Sequence, residues 1–159
     1  MSDNILIRNG IYQNDYLLNK LFEVKDINKR DEKGRNALFW AMHNKDYKLI
    51  SFLIKKGIDT NVVDNLSAMN YAVYKDDVKL IRYLRTAGLD INELDVVEST
   101  PLIYAVLYNK LRSINYLVNN GAQIFYEDNL GNSAFSLARE LKIQYLIDLF
   151  ENIALKSKK

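Results

Sequence analysis

The single histidine of the chain, His43, is the residue best suited to acid–base chemistry. A Ser-His-Asp triad would have to use it, yet no acidic residue stands at a fixed spacing that would orient its imidazole ring. His43 comes next to Asn44 at the end of a predicted helix. We therefore interpret His43 as a surface or contact residue; the alternatives are a catalytic role and a role as a haem ligand.

Other reactive constellations are missing from the sequence. There are no cysteines, which excludes disulfides, thiol catalysis and cysteine-ligated metals. One histidine without cysteine cannot form the usual zinc sites, and neither a phosphate-binding loop nor a dinucleotide-binding glycine motif is present. The acidic pairs Asp31-Glu32 and Asp76-Asp77 are interpreted as loop or helix-start residues. The sequence thus predicts no catalytic residues, no metal and no cofactor.

The charge of the chain is nearly balanced, with 22 Lys and Arg against 20 Asp and Glu. The basic pairs Lys55-Lys56 and Lys158-Lys159 do not form a concentrated basic face, so we expect no nucleic-acid partner. No stretch approaches the ~18 apolar residues of a membrane span, and the first residues do not form a secretory signal. We expect one cytoplasmic domain that has no membrane partner and is monomeric when free.

Four segments of the chain share one pattern, a large apolar residue followed three positions later by alanine. These segments are residues 38–41, 69–72, 102–105 and 135–138, so the alanines recur every 31 to 33 residues. An isoleucine follows each alanine after nine positions, and a leucine or phenylalanine follows after twelve. Self-similarity at such a period is typical of a solenoid.

Each unit is predicted to form two short helices. The large apolar residue and the alanine lie on one face of the first helix, and the Leu/Ile spacing of residues 49–54 marks the second. Their connection at residues 44–46 is short, so the two helices must be antiparallel. Gly57, Gly88 and Gly121 stand where a left-handed helix end is wanted. One hairpin cannot bury its apolar face alone, so the units must stack.

The residues between these helix pairs resemble the ankyrin repeat, whose pattern is roughly Asp-x-x-Gly-x-Thr-Pro-Leu-x-x-Ala and ends in Gly-Ala-Asp-x-Asn. Residues 31–38, 95–102 and 128–131 fit the opening, and residues 57–61 and 88–92 fit the close. The family period of about 33 residues also matches. The resemblance implies an all-α solenoid of about five stacked helical hairpins.

We predict a single ankyrin-repeat domain over residues 1–159. An N-terminal cap hairpin would span 1–30, three internal repeats 31–63, 64–94 and 95–127, and a C-terminal cap repeat with a basic tail 128–159. The second repeat is shorter than the others between Asn61 and Ser67, which predicts a stubbier finger there. The histidine of the family's Thr-Pro-Leu-His motif is replaced in every copy, by Phe39, Asn70, Ile103 and Ser136.

Aromatic residues fall at two kinds of position. Trp40, Tyr71 and Tyr104 hold the same place in successive repeats, which favours a ladder packed in the core. Tyr74 and Tyr108 come after the core alanines, at positions that face the concave groove and contact partners in the resembled family. Apolar residues also occur in the turn segments, called fingers here, where either finger packing or partner contact would explain them: Val63, Leu66, Leu94, Val96, Val97 and Leu130.

The resemblance implies a non-enzymatic module that binds a protein partner through its concave groove and fingers. A chain without an attached domain fits a small inhibitor of a toxin or enzyme, such as a bacterial toxin-immunity protein. The alternatives are an adaptor or chaperone for a cytosolic client, including a host protein if the chain is a secreted effector, and a haem or small-molecule carrier. The predicted partner contacts are His43, Asn44, Leu66, Tyr74, Lys75, Val96, Val97, Leu107 and Tyr108.

Overall fold

The computed structural model describes residues 26–156, and this range forms helices joined by short loops with one small sheet. The predicted N-terminal hairpin, apart from residues 26–30, and residues 157–159 of the tail lie outside the described residues. In chain order the elements are α1 (Ala37–His43), α2 (Tyr47–Lys55), β1 (Asn61–Val63), β2 (Leu66–Ser67), α3 (Ala68–Tyr74), α4 (Val78–Thr86), α5 (Pro101–Leu107), α6 (Leu111–Asn119), α7 (Ala134–Glu140) and α8 (Gln144–Lys156).

The helices pair within each repeat and stack between repeats. The pairs α1–α2, α3–α4, α5–α6 and α7–α8 pack together, and α5 also packs against both α3 and α7. One helix pair falls within each of the ranges 31–63, 64–94, 95–127 and 128–159. The all-α repeat architecture predicted from the sequence is confirmed.

The core follows the repeat pattern. The alanine of every repeat is fully buried, as is the leucine or phenylalanine twelve positions later. Alanine suits this place because a larger side chain would hold the stacked helices apart. These buried residues are Ala41, Ala72, Ala105 and Ala138, with Leu53, Leu84, Leu117 and Phe150.

The first helix of each repeat begins at a polar residue that caps it. In the four repeats between residues 31 and 156, the capping side chain accepts a hydrogen bond from the backbone N–H three residues later, which satisfies one of the free donors of a helix start. In α7, the Oγ of Ser136 also accepts a hydrogen bond from the backbone N–H of Ser133. The capping residues are Asn36, Ser67, Thr100 and Ser133.

The second helices are capped less uniformly. Asp46 caps α2 and Asp77 caps α4 through their side chains, but Lys110 at the start of α6 makes no such bond. Asp76 of the preceding repeat supplies the acceptor instead, because its Oδ1 lies 2.8 Å from the backbone N of Ser113 and 2.7 Å from its Oγ. One repeat therefore caps a helix of the next.

The fingers fall into two types. Asp31, Asp95 and Asp128 each fold a loop by accepting backbone N–H bonds from residues two and four positions later. The shorter finger instead forms the antiparallel pair β1–β2, closed by a two-residue turn in which Asp64 has a φ of +43°. The sequence predicted a stubbier finger here but not a sheet; the missing residues leave only enough chain for a tight hairpin.

Candidate functional site

A cleft of about 410 Å³ lies between the β1–β2 turn and the helices α3 and α5. One wall comes from the turn, and the other comes from tyrosine side chains of two successive repeats. The cleft therefore sits over the joint between two repeats. We call it the tyrosine cleft; its lining residues are Val63, Asp64, Asn65, Leu66, Asn70, Tyr74, Asp95, Tyr104 and Tyr108.

Three tyrosine rings form a continuous aromatic wall in this cleft. The ring of Tyr108 stacks on that of Tyr104, with centroids 6.2 Å apart and planes 7° apart. The ring of Tyr74 meets Tyr108 edge-on, with centroids 6.0 Å apart. Tyr74 is 54% exposed and Tyr108 49% exposed, so the rings hold one another in place while half of their surface stays open to solvent.

Tyr104 is the fixed member of the wall. Its hydroxyl donates to Asp95 Oδ2, while Asp95 Oδ1 accepts backbone N–H bonds from Val97 and Ser99. Burial of the ring, followed by the hydrogen bond and the charge of Asp95, raises the pKa of Tyr104. The hydroxyl is therefore neutral at physiological pH, and the finger that begins at Asp95 is tied to α5.

Asn70 is a buried polar residue on the floor of the cleft. It is only 4% exposed, and its backbone N–H donates to Ser67 Oγ. Its side-chain Oδ1 is buried without a hydrogen-bond partner among the described residues. Such an atom is costly, since buried polar groups in folded proteins are nearly always bonded. The floor of the cleft thus contains a polar side chain whose oxygen the described residues leave without a hydrogen bond.

Comparison with known proteins agrees with the repeat pattern. Family models described as ankyrin repeats match residues 7–95 and residues 98–129. The chain belongs to the ankyrin-repeat family. Ankyrin repeats are modules of protein–protein interaction, and such modules bind their partners through the exposed surface of the solenoid.

The chain is also similar to a curated yeast protein. It is 23% identical over 120 residues to Palmitoyltransferase AKR1 of Saccharomyces cerevisiae. The match covers 76% of this chain but only 12% of the length of that protein. The similarity is therefore to a small part of the transferase.

The structure brings together three of the nine predicted contact residues. Leu66, Tyr74 and Tyr108 line the tyrosine cleft. Val96 and Leu107 are exposed but do not line it, and Val97 is half-buried with its backbone N–H bonded to Asp95. The remaining three lie exposed where α1 and α3 end, also away from the cleft: His43, Asn44 and Lys75.

His43 packs against aromatic neighbours on its own ankyrin repeat. Its ring stacks on Phe39, with centroids 6.1 Å apart, and meets Trp40 edge-on at 5.6 Å. Within residues 26–156, no group of three or more His, Asp and Glu side chains is placed to hold a metal ion. None of the helices in this range combines the length and the apolar character needed to cross a membrane.

The sequence did not predict that Asn70, Asp95 and Tyr104 line a candidate site. Trp40 and Tyr71 are buried as predicted, but Tyr104 is half-buried and faces the cleft. Two signals were available: Tyr104 stands four positions before Tyr108 on one helix face, and Asn70 is a polar residue at the place of the family histidine.

The apolar finger residues divide between the two explanations that the sequence left open. Val63 and Leu66 are partly buried and pack against the core. Leu94, Val96 and Leu130 are exposed. Val63 and Leu66 thus combine core packing with a place in the lining of the cleft, while the exposed three are not explained by packing and remain available for contact with a partner.

Proposed function

We propose that the chain is a non-enzymatic binding protein whose protein partner docks across the tyrosine cleft and the fingers of the middle repeats. The observation that carries the proposal is the aromatic wall of Tyr74, Tyr104 and Tyr108, which is preformed and half open to solvent. Tyrosine is enriched at protein interfaces because its ring buries a large area at little conformational cost.

In this proposal, Tyr74 and Tyr108 of the chain are the residues that contribute most to binding the partner. Both rings are about half exposed, so the fold gains little from them in the absence of a partner. A buried interface tyrosine truncated to alanine can cost about 2 kcal/mol or more. The two rings also contact each other, so a partner that covers one covers the other.

The test is the double variant Tyr74→Ala with Tyr108→Ala. We expect its affinity for the partner, once that partner is isolated by pull-down from native lysate, to fall about tenfold or more, which corresponds to ~1.4 kcal/mol. Its melting temperature should stay close to that of the parent chain. Isothermal titration calorimetry and a thermal melt measure the two quantities.

Tyr145 provides the matched control. It is 49% exposed, like Tyr108, but lies on α8 away from the cleft. Tyr145→Ala should leave the affinity unchanged. Equal losses in the control and the double variant, or none in either, would remove the tyrosine cleft from the interface.

The consequence that we propose for binding is inhibition of the partner, as in a bacterial toxin-immunity protein. A partner held across the cleft and fingers has its docked face covered, which blocks an enzyme or toxin without any chemistry by the binder. Adding the purified chain to the partner should then reduce the partner's activity in proportion to occupancy. Full activity at saturation would indicate an adaptor or chaperone instead.

A further inference from the structure

Charge is segregated along the repeats. Residues 57–74, 87–109 and 120–138, which hold the later fingers and the first helices α3, α5 and most of α7, contain no lysine or arginine. Basic residues resume where these segments end, for example at Lys75 and Lys110. The acidic residues of the three segments are Asp59, Asp64, Asp90, Glu93, Asp95, Glu98, Glu127 and Asp128.

Several of these acids face solvent. The exposed ones are Asp64, Asp90, Glu98 and Glu127. Asp59 instead forms a salt bridge with Arg30, in which its Oδ2 lies 2.7 Å from a guanidinium nitrogen. The finger side of the later repeats therefore carries a negative potential, although the whole chain has a net charge of +2. A field of one sign over a surface attracts the opposite charge.

The tyrosine cleft is chemically suited to a cation. Its aromatic faces carry negative electron density, and the ring of Tyr74 already attracts the Nζ of Lys110, which lies 5.1 Å from its centroid. Two carboxylates, those of Asp64 and Asp95, line the same cleft. Asp64 is exposed, whereas the oxygens of Asp95 already accept bonds from Tyr104, Val97 and Ser99, so Asp95 contributes its charge alone.

We infer that the tyrosine cleft receives an arginine side chain from a basic segment of the partner protein, and that the acidic fingers hold the rest of that segment. The inference rests on the proposed function, because it names the chemistry of the partner at the same surface. A planar guanidinium stacks on tyrosine rings and can also donate N–H bonds to a carboxylate, which fits the aromatic wall together with the exposed carboxylate of Asp64. A lysine ammonium is a point charge and matches only part of this set.

The test uses short Gly/Ser peptides of equal length that carry several arginines, several lysines or several glutamates. Each is titrated into the full chain while backbone amide NMR signals are followed. The arginine peptide should shift the signals of Asn70, Tyr74 and Tyr104, bind about threefold or more tighter than the lysine peptide, and weaken as salt is added. The glutamate peptide should cause no shift at these residues.

Three variants sharpen the test. Asp64→Asn removes a cleft charge without changing shape, and its control Glu151→Gln removes an exposed charge on α8. Asp64→Asn should weaken the arginine peptide about threefold, since Coulomb attraction near a surface is modest, and Glu151→Gln should not. Lys110→Gln removes the competing cation beside Tyr74, so it should tighten binding of the same peptide.

The inference fails if the arginine and glutamate peptides shift the same signals equally, if the cleft signals stay still, or if Lys110→Gln weakens binding. These outcomes are separate from those of the proposed function. Should the double tyrosine variant lose its partner while the arginine peptide leaves the cleft unperturbed, the cleft is the interface and its occupant is not cationic. If the arginine peptide binds in the cleft but the double tyrosine variant keeps its affinity for the partner, the proposed interface is wrong instead.

Discussion

Asp76 shows how a single residue can serve a helix to which it does not belong. It stands in the turn after α3 with a φ of +51°, and its carboxylate accepts bonds from the backbone N–H and hydroxyl of Ser113 in α6. Lys110, which begins α6, has φ and ψ of −90° and 79°, close to those of the capping Asp77 at −92° and 84°. The backbone of α6 thus has a normal start, and only its local acceptor is absent.

The Asp76 cap leads to a stability prediction. Asp76→Ala should lower the free energy of unfolding by about 1–2 kcal/mol, since it removes a cap and leaves the buried Ser113 donors without an acceptor. Urea denaturation measures this loss, and Lys75→Ala, in the same turn, should cost much less.

Placing the acceptor back on α6 gives a rescue experiment. Because the dihedral angles at Lys110 match those of the capping aspartates, Lys110→Asp in the Asp76→Ala background should recover most of the lost stability. No recovery would show that Asp76 acts otherwise than as a cap.

Asp128 predicts a response to acid. Burial alone would raise the pKa of its carboxyl, but hydrogen bonds from Ser99 Oγ, Asn132 and Leu130 outweigh burial and lower that pKa below its usual value. The stabilisation is therefore complete above the unfolded pKa of about 3.9 and is lost as pH falls through the lower folded pKa. Asp128→Asn should be less stable by roughly 1–2 kcal/mol at pH 7. Thermal melts from pH 7 to pH 3 should show this difference shrinking, and a constant difference would contradict it.

The two helices of a pair differ in the residue that adopts the left-handed conformation just after each helix ends. The second helices end at Gly57, Gly88 and Gly121, which adopt positive φ without cost. The first helices end in the same left-handed conformation with side chains present. The residues concerned are Lys45, Asp76, Asn109 and Lys142, with φ of +51° to +56°.

Lys142→Gly should therefore stabilise the chain by about 0.5–1 kcal/mol, the usual gain when a side chain is removed from a left-handed position. Thermal or urea denaturation measures the gain. The reverse change, Gly57→Ala, has no atom within 4 Å of the added Cβ, so a loss there is due to the backbone alone. If Lys142→Gly is destabilising, the turn at this position is held by side-chain contacts and not by backbone conformation.

The helices were predicted well because their sequence patterns lie within a single repeat. The spacing of alanine, isoleucine and leucine fixes the helix faces, and Ser67 or Thr100 marks a helix start, because both patterns reflect bonds within one repeat. The β1–β2 hairpin was missed because it results from missing residues, which a repeat pattern does not encode. The role of Tyr104 was missed because its repeat position equals that of the buried Trp40, and only the neighbouring fingers differ.

The whole molecule is a stack in which each repeat relies on its neighbours. Finger-to-finger bonds recur along it: Asn28 Oδ1 accepts from the backbone N of Asp59 at 2.7 Å, and Asn92 Oδ1 from that of Gln123 at 2.9 Å. Ser99 of one finger donates to the carboxylate of Asp128 in the next. Stability in such an array is close to a sum of repeat and interface contributions.

Removing residues 128–159 should therefore destabilise the rest of the chain. The deletion exposes the face of α5 that packs against α7 and removes the acceptor of Ser99. We expect the shortened chain to melt earlier or to self-associate, because a repeat without its neighbour leaves an apolar face open to solvent. Light scattering and a thermal melt would detect this, and a monomer of unchanged stability would show that α5 and α6 do not depend on the last helix pair.

The position of the tyrosine cleft has a mechanical consequence. The helices α3 and α5 that line it belong to two successive repeats, so the shape of the cleft changes whenever those repeats rotate against each other. Each repeat of a solenoid contacts only its neighbours, so relative motion of the repeats is concentrated at such joints. A ligand that contacts both repeats would restrict their relative motion. It would stiffen the middle of the solenoid and slow hydrogen exchange in α3 and α5 together. Conversely, a force that straightens or curls the solenoid would open or close the site.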